Sequence, residues 1–398
     1  MSRTTTALVA PELNGKFELR EVYLDALQAD EVLVEMQASG LCHTDLSCAV
    51  GILPCRPNAV LGHEGGGVVV QTGSAVSHVQ PGDKVLLSFT HCETCAACTS
   101  GHPAYCHTFN DRNFGGARPD GSSAMLTKPG GEPIYSTFFG QSSFARHSLV
   151  HRSSVVRVPA ETDLALYAPL GCGMQTGAGA VLNSLNVKEG STVAVFGVGS
   201  VGMAAVMAAA KIRKARIVIA VDLQQSRLDL AKELGATHGV LGNAKDVVQQ
   251  IRDICQSNGC DYAVDATGVP FVIKTMIDSL GTLGRASTVG APGPGNNVAV
   301  DIMEHLTYGK EYVGCCEGDS LPKEVSSPFF PLLWALTDMT LPSLCPISSS
   351  SIKRATSRST GSSSTTTSRT TRRPLRTARR VAPSRLFSSG EGRRKKGE

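Results

Sequence analysis

Two sets of sulfur and imidazole side chains in this chain could hold metal ions. The first is Cys92-x2-Cys95-x2-Cys98-x7-Cys106. Four thiolates with no open position describe a structural zinc site. An iron–sulfur run also uses C-x2-C-x2-C, but usually with a close fourth cysteine followed by proline. Here the fourth cysteine comes eight positions on and is followed by His107, so zinc is the expected ion. The second set is scattered: Cys42, His63-Glu64 and Cys172. Three protein ligands leave a fourth position open for chemistry. A lone histidine is more often a packed core or loop residue, so His63 gains meaning only from its neighbours. Beside Cys42 stand Thr44, a candidate hydroxyl for proton relay, and Asp45, a candidate anchor for a ligand.

A third motif points to a nucleotide. Gly197-x-Gly199-x-x-Gly202 follows the short apolar run Val193-Ala-Val-Phe196 and precedes a stretch, Met203 to Ile212, that suits a helix. Ile217-Val-Ile-Ala-Val221 then reads as a second strand ending in Asp222. Strand, glycine loop, helix, and an acid about twenty residues on form the dinucleotide fingerprint in its required context. Gly197 makes the tight turn, Gly199 admits the pyrophosphate, and Gly202 lets the helix approach its strand. The helix N-terminus then faces the phosphates. Asp222 can accept hydrogen bonds from the adenosine ribose and would repel a 2′-phosphate, which favours NAD over NADP. A chain with two metal sets and this loop reads as a metal-dependent oxidoreductase.

Those residues need a scaffold, and the patterning describes one. Residues 1 to about 170 read as β-rich, with runs such as Val32-Leu-Val34, Gly67-Val-Val-Val70 and Val85-Leu-Leu87 set between turns like Pro81-Gly82-Asp83. After Cys172 strands and helices alternate. Arg227 to Leu234 is helical and stops at Gly235, while Tyr262-Ala-Val-Asp265 and Ala286-Ser-Thr-Val289 are further strands. This alternation implies an α/β fold with a doubly wound parallel sheet.

Composition excludes several classes. The length of 398 residues is enough for two domains with separate cores. Thirteen cysteines invite a disulfide framework, but the chain is long, no secretory signal is evident and the metal sets absorb many of the thiols. A reducing, cytoplasmic setting is expected. The longest small-apolar run, Met203 to Ala210, is too short to span a membrane. The formal charge of +4 is unevenly spread: residues 346–398 hold 14 Lys+Arg against 2 Asp+Glu, leaving 24 against 32 elsewhere. The body is acidic, so nucleic acid is not an expected partner.

The phrases Gly40-Leu-Cys-His-Thr-Asp45, Leu61-Gly-His-Glu-Gly65 and Leu170-Gly-Cys-Gly173, with the cysteine cluster and the glycine loop, resemble the zinc-containing medium-chain alcohol dehydrogenases. Phe138-Phe-Gly-Gln-Ser-Ser-Phe144 and Gly171-Cys-Gly-Met-Gln-Thr-Gly-Ala-Gly-Ala-Val-Leu-Asn183 are most similar to the aryl-alcohol (benzyl-alcohol) branch. The resemblance covers residues from about 5 to 320. It implies a GroES-like catalytic domain with a zinc lobe (1–173), a Rossmann domain (174–320) and an aberrant basic tail (321–398). It assigns Cys42, His63 and Cys172 to a catalytic zinc, with Glu64 behind the metal and Asp45 holding a ligand. Cys92, Cys95, Cys98 and Cys106 take a structural zinc. His43, Thr176, Gly197, Gly199, Val201, Gly202, Asp222, Arg227, Thr267 and Gly268 take the cofactor. Thr44 matches the hydroxyl that receives the alcohol proton. Many relatives place a histidine five residues after the first zinc ligand, and here that position is Ser47, so the relay must end differently. The implied reaction is oxidation of a primary alcohol, aromatic by resemblance, to its aldehyde with hydride passing to NAD, run by a homo-oligomer. Two alternatives stay open: an S-(hydroxymethyl)glutathione dehydrogenase, and a catalytically silent zinc- and NAD-binding protein.

The second alternative comes from the tail. Residues 348–398 are mostly Ser, Thr and Arg, cannot bury a core and read as disordered. Arg369-Thr-Thr-Arg-Arg-Pro374 can be encoded so that a one-nucleotide shift gives Lys-Asp-Tyr-Glu-Lys-Ala, and neighbouring stretches shift in the same frame to family-like sequence. Val325-Ser326 can be encoded as a splice donor. A frameshift or retained intron is the expected origin, and the family's cleft-closing C-terminal segment is absent from this reading.

Overall fold

Alternating apolar and polar residues build the first half. The computed structural model describes residues 4–322. Strand β1 (Thr4–Ala10) buries Thr5, Ala7 and Val9 and turns the intervening residues outward, the period of two that one covered sheet face demands. It joins β2 (Glu18–Leu24), β4 (Ala59–Val60), β7 (Met125–Leu126) and β8 (Pro133–Ile134) in the order β4-β1-β2-β7-β8. A second sheet has the order β10-β6-β5-β3-β9, built from β3 (Glu31–Ser39), β5 (Gly65–Thr72), β6 (Lys84–Leu87), β9 (His147–His151) and β10 (Val155–Arg157). Val32, Val34, Val69, Val85, Leu87 and Val150 form the core on that sheet. The register between β3 and β5 shifts twice, at Leu33/Val34 and Met36/Ala38. Such irregularities bend a strand and re-aim its end, and the end of β3 leads directly to Cys42. Short helices α1 (His43–Ala49), α2 (Ala96–Thr99), α3 (Phe109–Phe114) and α4 (Leu164–Tyr167) punctuate this half.

Near-continuous apolar runs build the second half, as strands covered on both faces require. All five residues of β11 (Thr192–Phe196) and all six of β12 (Ile217–Asp222) are buried. With β13 (His238–Leu241), β14 (Cys260–Asp265), β15 (Leu280–Thr288) and β16 (Glu311–Gly314) they form one parallel sheet in the order β13-β12-β11-β14-β15-β16. Counted along the chain this is 3-2-1-4-5-6, the dinucleotide-binding order. Helices α6 (Ser200–Met207), α7 (Gln225–Leu234), α8 (Val247–Cys255), α9 (Pro270–Asp278) and α10 (Ile302–Tyr308) connect the strands. Gly235 ends α7 with a φ of 122°, as its sequence position predicts. The helix expected from Met203 begins earlier, at Ser200, because Gly199 is its N-cap and Gly202 already belongs to its first turn. It ends at Met207 and passes into a wider π turn over Ala208–Ile212.

Between the halves lies α5 (Gly173–Gly179), which packs against α6. At Gly177 any side chain would collide with the Val201 carbonyl, so glycine sets how close the two helices come. The tail expectations fall on residues outside those described. Among the described residues every cysteine is free, and no helix is long and apolar enough to cross a membrane.

One buried ionic group ties the first half together. Arg118 donates from Nε and Nη2 to the two oxygens of Glu31, at 2.7 and 2.9 Å, and from Nη1 to Asp25 at 2.7 Å. The Arg118 and Glu31 side chains are almost completely buried. Arg118→Met leaves Glu31 as an uncompensated interior charge, so unfolding free energy is expected to fall by about 3–5 kcal/mol. A urea midpoint equal to wild type would show that Glu31 finds another partner.

Candidate metal centres

The four-cysteine loop folds into a thiol cage. The sulfurs of Cys92, Cys95, Cys98 and Cys106 all lie within 4.8 Å of one another. Backbone amides aim at them: Cys95 N–H donates to Cys92 Sγ at 3.2 Å, Cys92 N–H to Cys106 Sγ at 3.4 Å and His107 N–H to Cys95 Sγ at 3.5 Å. Burial acts to raise Cys92, but the donors on Thr94 and Cys95 outweigh it and bring the thiol to about 5. Burial and the neighbouring thiols push Cys98 up to about 12. Four thiolates could share so small a space only around a cation, and this donor set would hold a zinc ion.

The scattered set also converges. Ligand atoms of Cys42, His63, Glu64 and Cys172 lie within 4.8 Å of one another. Asp45 arranges two of them. Its Oδ2 accepts the Cys42 amide at 2.9 Å, while Oδ1 accepts the Gly62 amide at 3.0 Å and faces His63 Nδ1 at 3.0 Å. A fully buried carboxylate opposite Nδ1 keeps a proton on that nitrogen, so any ligand role falls to Nε2. That Nε2 is buried without a hydrogen-bond partner. An orphaned imidazole nitrogen beside two thiols is a donor set suited to zinc, so these residues fit the ion that the family resemblance implies.

Burial acts to lower His63, but the Asp45 carboxylate and Cys42 outweigh it and raise the imidazole well above its ordinary value. Cys42 is pulled down to about 3, chiefly by the Cys172 thiol, which is itself pushed well above its ordinary value by Cys42 and by burial. Burial, helped by the charge of Cys42, raises Glu64 to about 8. Glu64 lies under the start of α5, with Gly173 N–H 3.4 Å from its Oε1.

The residues expected to take the cofactor lie on α1, α5 and α7, in the glycine loop, at the end of β12 and just past the end of β14. Gly197 has a φ of 80°, and the space around Gly199 is open to 4 Å. At Gly202 a side chain would strike the Gly197 carbonyl. These are the three roles expected of the glycine loop. Asp222 Oδ2 accepts the Val198 amide at 2.9 Å, Oδ1 accepts the Gln224 amide at 3.0 Å, and Arg227 stands 3.6 Å away. Thr267 and Gly268 are held by Asp265, which accepts both amides at 3.0 Å. Thr176 donates to the Cys172 carbonyl at 2.8 Å. A side chain at Gly173 would stand 3.6 Å from both Glu64 Oε1 and the Val201 side chain, so the metal cluster adjoins the start of α6. His43 is exposed, Thr44 half-buried, and Ser47 buried within α1.

Several supporting residues were not singled out from sequence. The His63 ring stacks on Phe139 at 4.6 Å and meets the edge of Phe138 at 5.4 Å. Phe139 has a φ of 52°, an uncommon left-handed conformation that tends to mark functional sites. Gln141 donates to the carbonyls of His63 and Ser88 and accepts the Gly65 amide. Glu317 Oε2 lies 3.2 Å from Gln175 Nε2 and 3.5 Å from Thr176 Oγ1, and burial foremost raises its carboxyl to about 7. The phrase around Phe138 was visible as a resemblance, whereas nothing in the spacing marked Glu317.

Residues 28–160 match the model of the alcohol dehydrogenase GroES-like domain, and residues 200–334 match that of the zinc-binding dehydrogenases. The chain is 38% identical to geraniol dehydrogenase of Castellaniella defragrans over 319 residues, 80% of this chain and 84% of that protein. A crystal structure of an alcohol dehydrogenase zinc-binding domain protein from Burkholderia ambifaria is 44% identical, covers 90% of this chain and 96% of its own, and superposes with a TM-score of 0.80. Benzyl alcohol dehydrogenase of Acinetobacter calcoaceticus is 40% identical, with coverage of 85% and 90% and a TM-score of 0.78.

Asp45→Ala should free the His63 ring and weaken zinc at the three-ligand site by about 10–100-fold. Competition against a chromophoric chelator reads this directly. Unaltered retention of both ions would remove Asp45 from the account.

Proposed function

The chain belongs to the zinc-dependent medium-chain alcohol dehydrogenases, and from that premise we propose that it oxidises a bulky primary alcohol, aromatic of the benzyl type, to its aldehyde with NAD as hydride acceptor. The observation that carries this reading is the free Nε2 of His63 facing Cys42 and Cys172 beside the glycine-loop helix. Cys42, His63 and Cys172 would hold the zinc, which would supply Lewis acidity towards an alcohol oxygen, and bound NAD would supply the hydride-accepting chemistry.

The residues of the chain do the rest. Asp45 fixes the His63 ring, and Phe138 and Phe139 wall it from water. Glu64 stands behind the ligands, where its carboxyl adds negative charge once ionised. Thr44 receives the alcohol proton and passes it towards solvent or the cofactor ribose. Ser47, at the position where many relatives carry a histidine, is buried and offers a hydroxyl in place of an imidazole. Cys92, Cys95, Cys98 and Cys106 hold a structural zinc. The aromatic preference is supported by the likeness to a benzyl alcohol dehydrogenase. The likeness to a geraniol dehydrogenase supports bulk rather than aromaticity. Catalytic and cofactor-binding domains at 1–173 and 174–320 accord with the change from antiparallel to parallel sheet. A homo-oligomer is supported by exposed Ile302, Met303 and Leu306 on α10 and by the place of β16 at the end of its sheet among the described residues.

The test is NADH formation from benzyl alcohol by the zinc-loaded full chain. Activity is expected in wild type and its loss in Cys42→Ala, with NAD binding retained. A wild-type chain that binds zinc and NAD without turnover would establish the silent-binder alternative, and activity only with glutathione and formaldehyde would establish the other. A second expectation concerns the cofactor. The kcat/KM should be higher with NAD than with NADP, and Asp222→Asn should narrow the gap by removing the charge while keeping a hydrogen-bond acceptor. An unchanged ratio would mean that Asp222 serves only the glycine loop.

A further inference from the structure

The segment that leaves β16 crosses from the parallel sheet to the metal cluster. Three consecutive residues there are left-handed: Glu317, Gly318 and Asp319, with φ values of 47°, 71° and 48°. Glycine adopts this freely, but glutamate and aspartate rarely do, so the surroundings must over-determine the turn. Those surroundings are visible. Asn183 Nδ2 donates to the carbonyls of Gly318 and Asp319, both at 3.1 Å. The Gly318 carbonyl lies against Gly179, where any side chain would collide with it.

Two further contacts come from an unexpected place. His102 Nδ1 lies 2.9 Å from both carboxylate oxygens of Asp319, and Tyr105 Oη donates to the Gly314 carbonyl at 3.3 Å. His102 and Tyr105 sit between Cys98 and Cys106, inside the four-cysteine loop. That loop therefore grips the crossing segment at both ends. At the tip between them, Glu317 Oε2 packs 3.2 Å from Gln175 Nε2 and 3.5 Å from Thr176 Oγ1. Gln175 donates to Ser88 Oγ and to the Gly171 carbonyl, both at 2.8 Å. Gly171 immediately precedes Cys172, and Thr176 bonds the Cys172 carbonyl. A continuous chain of contacts thus runs from the thiol cage through Asp319 and Glu317 to the backbone around a ligand of the other metal centre.

We infer that the four-cysteine lobe holds the 314–319 turn through His102–Asp319 and Tyr105–Gly314, and that Glu317 thereby acts as a positioning residue for Cys172 and the start of α5. The inference rests on the dehydrogenase reading above for its catalytic consequence, but the positioning itself is a matter of geometry. Without the grip, two non-glycine residues are released from a conformation they do not favour, and Glu317 withdraws from Gln175 and Thr176. The structural metal then influences turnover through protein contacts alone, since small displacements of supporting residues are enough to change rates.

The test uses the metal-loaded full chain, with cobalt(II) exchanged into the three-ligand site so that its thiolate absorption reports on Cys172. His102→Ala and Glu317→Gln should each lower kcat, by up to about tenfold, and move the cobalt–thiolate band in the same direction. His102→Gln, which keeps a donor for Asp319, should recover most of both. The double variant His102→Ala/Glu317→Gln should be no worse than Glu317→Gln alone, because both act along one path. Asp319→Asn, outside the lobe, tests the same contact should His102→Ala shed metal. An unmoved band in His102→Ala and Asp319→Asn would overturn the inference, as would effects that simply multiply in the double variant. A wild-type chain that loads both metals but never oxidises alcohol would count against the proposed function instead, leaving the cobalt band to decide on the clamp.

Discussion

Everything at the proposed catalytic centre depends on where the Asp45 carboxylate sits. It takes the amides of Cys42 and Gly62 and faces the imidazole of His63, so one side chain ties α1 to the loop before β5. The two ligands lie far apart in sequence, and each follows a stretch of β-structure that approaches from a different strand. Ligand convergence is therefore a product of the antiparallel sheet, whose bulged β3 ends beside the site, and of one buried anion that satisfies three donors. Such an anion is stable in the interior only because its acceptor capacity is filled.

The third ligand arrives by another route. Cys172 stands in the connection between the sheets, with backbone angles of −140° and −87° between a 3₁₀ turn and α5. Glycines at 171 and 177 let this connection lie against Leu87 on one side and Val201 on the other. The same helix therefore touches the antiparallel sheet, the cofactor loop and the Glu317 turn. The proposed reaction would require substrate and nicotinamide to be neighbours, and the close packing of α5 on α6 sets the metal cluster beside the glycine loop.

How much of this could be read from sequence varied with the range of the interaction. The cysteine cage and the glycine loop are local, so spacing alone located Cys92 to Cys106 and Gly197 to Gly202. Strand–helix alternation indicates a doubly wound parallel sheet, but its order, 3-2-1-4-5-6, is set by tertiary pairing that alternation does not record. Cys42, His63 and Cys172 could not be joined by spacing and were grouped by resemblance. Gln141 and Phe139 act through tertiary contacts that no periodicity records. Glu317 was least accessible of all, because a left-handed glutamate is disfavoured locally and is stabilised by Asn183 and His102, both more than a hundred residues away. The start of α6 at Ser200 was missed for a simpler reason: a glycine loop that opens a helix contributes its own last residues to the first turn.

The central claim is that one chain holds two zinc ions of different kind. Anomalous diffraction at the zinc edge from crystals of the full chain measures this directly. The expected result is two peaks, one surrounded by four sulfurs at about 2.3 Å and one bonded by Cys42, Cys172 and His63 Nε2, with the nitrogen at about 2.0–2.1 Å. A single peak in the cysteine lobe, or a second peak that avoids His63, would contradict it.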